Sequence, residues 1–259
     1  MNTNNKYIGV FDSGVGGLTV VKHLISAMPN ENIIYLADYK HMPYGDKTNE
    51  EIIKYVLDDV KFLNTFPLKA IVIACNTADS IASENIKQKY DIPVYGVILD
   101  ASKKAIEVTS NNKIGVIATT AAINSNEYAR QINNLNKNAL VYSKACPFLA
   151  PMIEEGKFDI GNEEIRLILK DYLSPLIEND IDTLILGCTH YDLLSNIISD
   201  MYPNLNIVSS SRCIVDVLKN QLDKSENSIA DRQYYVSGDS SKFINVANIF
   251  MPDISVNHQ

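Results

Sequence analysis

Two segments of this chain return further along it at almost the same spacing, and this narrows the fold more than any other feature. Lys6-Tyr7-Ile8-Gly9-Val10 comes back as Asn112-Lys113-Ile114-Gly115-Val116, an offset of 106. Ile71-Val72-Ile73-Ala74-Cys75-Asn76-Thr77 comes back as Leu184-Ile185-Leu186-Gly187-Cys188-Thr189-His190, an offset of 113. All βα units look somewhat alike. Two matches at similar offset, with a cysteine after an apolar run in the second pair, point to two related α/β domains.

The rest of the pattern fits that reading. Short β-branched runs alternate with amphipathic stretches. Strands are expected at 6–11, 32–37, 70–74, 94–98, 113–118, 139–143, 183–186, 206–208 and 234–237. Helices are expected near 18–27, 48–64, 78–90, 124–134, 162–178 and 191–201, with two more in the last fifty residues. Thr48 followed by Glu51 reads as a capping box. Apolar strands joined by helical crossovers predict parallel sheets covered on both faces. The expected fold class is α/β, with two pseudo-symmetric parallel-sheet domains. The first spans 1–97 plus 210–259 and carries Cys75; the second spans 98–209 and carries Cys188.

Charge and cysteine usage restrict the partners. With 23 Lys+Arg against 31 Asp+Glu the net charge is −8. A nucleic acid or an anionic membrane surface needs clustered cations, so neither is an expected main partner. The opening Met1-Asn2-Thr3-Asn4-Asn5-Lys6 is polar, without the apolar core of a leader, and no apolar run is long enough to span a bilayer. A cytoplasmic protein with reduced thiols is the expectation.

Cys75 and Cys188 stand at the carboxyl ends of expected strands, where open α/β sheets bind ligands. A helix N-terminus there is expected to lower a thiol pKa. A cysteine is often just a small buried hydrophobe. Two at equivalent places in a repeat, followed by Asn76-Thr77 and Thr189-His190, favour function, whereas Cys146 and Cys213 read as structural. His190 suits either assistance to a thiol or metal ligation, but no second His/Cys cluster accompanies it. His23, His41 and His258 read as ordinary surface or loop residues.

Asp12-Ser13-Gly14-Val15-Gly16-Gly17 follows the first strand. It fails the dinucleotide pattern, because Thr19 stands where the third glycine belongs. Asp12 better suits holding a proton-transfer group beside a small ligand. Met42-Pro43-Tyr44-Gly45 reads as a turn, and Glu154-Glu155 after Pro151 as a solvated helix start.

Together these pieces resemble the cofactor-independent aspartate/glutamate racemase family. The matching segments are Phe11 to Gly17, Pro43-Tyr44-Gly45, Ala74 to Ala78, Ile153 to Gly156 and Gly187 to Tyr191, in order along most of the chain. The resemblance implies a substrate held between the two domains, with Cys75 and Cys188 facing opposite sides of its Cα. It implies that Asp12 assists Cys75 while His190 and Glu154 assist Cys188. Asn76, Thr77, Thr119 and Thr189 would bind the substrate with Asp12, Ser13, Tyr44, Gly45 and His190. It implies no cofactor, neither pyridoxal phosphate nor a metal, and a homodimer. The implied reaction interconverts L- and D-glutamate and supplies D-glutamate for peptidoglycan.

The chain departs from the family pattern at Asp100-Ala101 (usually Pro-Gly), Ala121-Ala122 (usually Gly-Thr), Asp79 and Asp192. If Asp100 and Asp192 lined the cleft they would repel a dicarboxylate. Either they point away or the substrate is not glutamate; a member of the same family acting on another amino acid, such as aspartate, is the second reading. An inactive amino-acid-binding protein and a metal-dependent enzyme are further alternatives. A dicarboxylate site in this acidic chain is expected to use neutral donors and helix N-termini.

Overall fold

A computed structural model describes residues 6–258, so Met1 to Asn5 of the polar opening segment lie outside the described residues. Ten strands occur among them: β1 Tyr7–Asp12, β2 Asn32–Ala37, β3 Leu68–Ile73, β4 Val94–Gly96, β5 Lys113–Ala118, β6 Leu140–Ala145, β7 Thr183–Gly187, β8 Asn206–Ser209, β9 Arg232–Val236 and β10 Asn257–His258. The helices are α1 Leu18–Ala27, α2 Asn49–Leu63, α3 Asn76–Lys89, α4 Ile98–Val108, α5 Thr120–Asn124, α6 Glu127–Leu135, α7 Leu149–Glu154, α8 Glu163–Ile177, α9 Ser195–Met201, α10 Ser210–Gln221 and α11 Ser240–Phe250.

The strands make two parallel sheets, ordered β10-β9-β2-β1-β3-β4 and β6-β5-β7-β8. Four strands of the first sheet follow the order of the second, with β1 matching β5 and β3 matching β7. The register carries the repeat into three dimensions. Gly9 lies beside Ile71 in one sheet, and Gly115 lies beside Leu184 in the other. These are the residues related by the two sequence offsets. The C-terminal segment returns to the first sheet, where β9 pairs with β2.

Alternation along the strands assigns each face of each sheet its own packing. Ile8, Val10 and Tyr35 of the first sheet and Ile114, Val116 and Ile185 of the second share one apolar cluster with α1, α4, α10 and α11. Phe11, Ile34, Ile71 and Ile73 face outward onto α2 and α3. Leu184 and Leu186 face outward onto α7, α8 and α9. One core therefore lies between the sheets and belongs to both.

Local signals worked where a side chain caps a helix. Thr48 accepts from the Glu51 N–H at 3.3 Å, and Glu51 accepts from the Thr48 N–H at 2.9 Å. Four local expectations are corrected. The apolar run 94–98 is a strand only to Gly96; α4 begins at Ile98, because the buried Asp79 carboxylate accepts the Ile98 N–H at 2.9 Å and caps it. The helix expected over 124–134 is split into α5 and α6 by Asn126, which adopts φ 58°. The helix expected from Tyr191 begins with a 3-10 segment, Thr189–Leu194, before α9. Glu154 and Glu155 do not start a solvated helix: they close α7, with Glu154 buried and Glu155 exposed.

Candidate active site

Cys75 follows β3 and Cys188 follows β7, so both thiols stand at the carboxyl ends of matching strands. They line one cavity of about 170 Å3. Ser13, Tyr44, Gly45, Asn76 and Thr77 come to it from the first sheet. Thr119, Glu154, Thr189 and His190 come from the second. Asp12 is buried behind this wall and does not line it.

The two thiols have different surroundings. Cys75 caps α3, and its sulfur lies 3.7 Å from the Ser13 hydroxyl. The expected lowering of its pKa is overturned. Burial and the nearby Asp12 charge push the thiol up, outweighing the Ala78 N–H and the Ser13 hydroxyl. Cys188 lies 3.6 Å from Nδ1 of His190, whose Nε2 lies 2.7 Å from Glu154. Burial works against the charged imidazole, but its bonds to Cys188 and Glu154 hold its pKa well above the ordinary value. Burial would likewise raise Glu154, yet bonds from His190, the Val15 N–H at 3.0 Å and the Tyr39 hydroxyl at 3.0 Å lower it. A thiol, an imidazole and a carboxylate thus stand in line, each orienting the next.

Asp12 makes no hydrogen bond to Cys75. It accepts the Gly14 N–H at 2.9 Å and the Thr189 hydroxyl at 2.9 Å, tying the first glycine loop to the turn after β7. Burial raises its pKa. Thr77 and Thr119 share a 2.7 Å hydrogen bond across the cavity wall. The Asn76 amide is fixed at both ends: it donates to Ser210 at 3.3 Å and accepts from Tyr128 at 2.5 Å. Tyr44 donates toward Asp38 at 2.6 Å and lies 3.1 Å from Asp59, so its ring is anchored from behind.

The unusual acidic residues point away. Asp100 pairs with Lys103 at 2.9 Å and Asp192 with His23 at 3.0 Å; neither lines the cavity. Ala122 is buried beneath Thr119, and its N–H is held by the Thr119 hydroxyl at 3.3 Å. All three histidines taken as ordinary have partners: His23 holds Asp192, His41 stacks on Tyr55 and bonds to Asp38, and His258 lies 3.1 Å from the Ser240 hydroxyl. His258 is exposed in β10.

Some lining residues stand within or beside the matched segments but were not assigned a site role from the sequence. Met42 and Pro43 sit beside Tyr44, and Ala150, Pro151 and Glu155 flank Glu154. Adjacency to a matched motif was the available clue. Lys242 had none, since it comes from α11 near the end of the chain, far from every motif. Its ammonium corrects the expectation of a wall built only from neutral donors. No group of three or more His, Cys, Asp or Glu side chains is placed to hold a metal among the described residues. No helix among them is long and apolar enough to cross a membrane.

The profile of the Asp/Glu/Hydantoin racemase family matches residues 17–218. The chain belongs to this family. A glutamate racemase of Sulfurihydrogenibium sp. is 44% identical over 249 residues, covering 95% of this chain and 94% of the relative. A glutamate racemase isoform from Bacillus anthracis superposes with TM-score 0.93 at 38% identity, over 99% of this chain and 98% of its own. A Francisella tularensis glutamate racemase solved in complex with D-glutamate gives TM-score 0.88 at 38% identity, over 98% and 96%. An aspartate racemase from Picrophilus torridus shares the fold at TM-score 0.60 and 17% identity.

Proposed function

We propose that this chain is an isomerase that interconverts L- and D-glutamate without a cofactor, using Cys75 and Cys188 as a pair of acid and base. The observation that carries this reading is the pair of thiols at matching strand ends of two sheets, opening on one cavity. Curated relatives named glutamate racemase, at about 40% identity over nearly the whole chain, support the choice of substrate.

The unequal surroundings suggest a starting state. Cys75, raised by burial, holds its proton. Cys188 beside a charged His190 has a cation to stabilise its thiolate. The thiolate removes the Cα proton and the opposite thiol delivers its own to the other face. The two sulfurs end with exchanged roles, ready for the reverse enantiomer. Negative charge that develops at the substrate carboxylate is met by Asn76, Thr77 and Thr189, which line the cavity. His190 and Glu154 act through Cys188; Asp12 acts by fixing Thr189.

We place the domain division at 1–97 with 210–259, and 98–209. The return of β9 to the first sheet and the packing of α4 beside β7 and β8 support it. A role in supplying D-glutamate for peptidoglycan, a cytoplasmic location and a homodimer rest on the family resemblance alone.

Single enantiomers incubated in D2O test the reading. Glutamate is expected to lose optical activity and take deuterium at Cα. Cys75→Ser and Cys188→Ser are each expected to abolish racemisation, and bound glutamate to slow alkylation of both thiols. Exchange with aspartate but not glutamate would overturn the substrate; unchanged exchange in both serine variants would overturn the two-thiol mechanism.

A further inference from the structure

The proposed substrate carries a net negative charge, and the chain that must admit it has net charge −8. Long-range attraction between them is therefore missing, and entrance depends on local charge. Among the described residues that line the cavity, Lys242 is the one lysine or arginine. Its ammonium makes no ion pair or hydrogen bond within the described residues, unlike the carboxylate nearest in kind: Glu155, also on the wall, is engaged by Lys157 at 3.1 Å. An acid of the wall is thus neutralised while its base is left free.

The backbone under Lys242 is firmly placed. Asp239 caps α11 by accepting the Ser241 and Lys242 N–H groups at 3.1 and 3.2 Å. The next residue, Phe243, is fully buried and packs on Tyr35 and Tyr39, with ring centroids 6.4 and 5.7 Å away. Tyr39 in turn holds Glu154. The lysine stem therefore rises from a fixed point beside the His190–Glu154 pair while its head stays solvated.

We propose that Lys242 draws the substrate carboxylate into the cavity and gives the site its preference for acidic over neutral amino acids. This rests on the glutamate reading above, so the test has one arm that needs no turnover. Iodoacetate and iodoacetamide alkylate the same thiols and differ in charge, so their rate ratio at Cys75 and Cys188 reports attraction of a carboxylate. At low salt, Lys242→Gln is expected to lower the ratio by about 2- to 5-fold, the span of an exposed charge pair. Lys242→Glu is expected to lower it further, Lys242→Arg to restore it, and high salt to erase the differences. In the turnover arm Lys242→Gln and Lys242→Glu raise KM for glutamate and leave kcat unchanged, while Lys242→Arg keeps KM near the wild-type value. A wild type that fails to exchange glutamate defeats the functional reading, and the alkylation ratio still decides the role of the lysine. An unchanged ratio in Lys242→Gln and Lys242→Glu at low salt overturns it.

Discussion

Gly16 offers the sharpest test of how the two halves build the site. It lies in the loop after β1, where the turn bearing Cys188, Thr189 and His190 comes closest to the first sheet. A Cβ added at Gly16 would stand 2.6 Å from Nδ1 and 2.8 Å from the backbone N of His190, and closer still to the Thr189 hydroxyl. Ordinary contact begins at 3.4 Å, so the backbone of that turn must retreat by roughly half an ångström and the imidazole by more. Such overpacking costs about 1–3 kcal/mol of stability. A shift approaching 1 Å at a catalytic group costs about 10²-fold in rate. Gly16→Ala is therefore expected to fold, to melt at a lower temperature, and to lose about two orders of magnitude in Cα exchange. Enantiomers have equal free energy, so kcat/KM must fall by one factor in both directions, even though the disturbed turn carries only one thiol. Alkylation of Cys188 should change more than that of Cys75. Gly16→Ala with near-normal exchange would show that the turn is not held in place by this approach. Unequal losses of kcat/KM would show that the assay is not following a simple racemisation.

Two further perturbations use titration. Tyr44 has one hydroxyl proton but two carboxylates within reach, and burial together with the Asp38 charge pushes Asp59 well above its ordinary pKa. A raised carboxyl gives stability that is complete below its unfolded pKa and lost as pH rises through the folded one. Asp59→Asn keeps a donor toward Tyr44, so its melting temperature should gain on wild type as pH rises, by about 2–4 °C per kcal/mol at this size; a difference independent of pH from about 5 to 9 would refute the shared proton. Glu154 is shifted the other way, so its contribution is present above the unfolded pKa and lost as pH falls through the folded one. Glu154→Gln should cost about 3–5 kcal/mol at neutral pH and less in acid; denaturation at several pH values would show it.

Much of this architecture was legible because strand periodicity and helix caps are local. Tyr7–Asp12, Asn32–Ala37 and Lys113–Ala118 announce themselves as apolar runs, and the offsets of 106 and 113 identified strands that pair in matching registers. The hidden parts depend on tertiary partners. The start of α4 is set by Asp79, distant in sequence, so its first residues read as strand. Glu154 looks like a solvated acid until His190, Tyr39 and Val15 close around it. The Cys75 shift follows from burial, which a strand-to-helix turn does not disclose. Lys242 reaches the cavity only because β9 carries the C-terminal segment back to the first sheet.

The shared strand order of the two sheets has a geometric consequence for chirality. Turning one half onto the other is a rotation, and no rotation turns a hand into its mirror image. Opposed thiols can be produced by doubling a βα unit, but a mirror-symmetric pocket cannot be built from L-residues. The hydroxyl beside Cys75 and the imidazole beside Cys188 show that asymmetry directly. In the proposed reaction the two enantiomers therefore rest against different walls and spend different times there, while equilibrium keeps them equal. A rigid inhibitor copied from one enantiomer should bind one protonation state of the thiol pair, and its mirror image should bind the other.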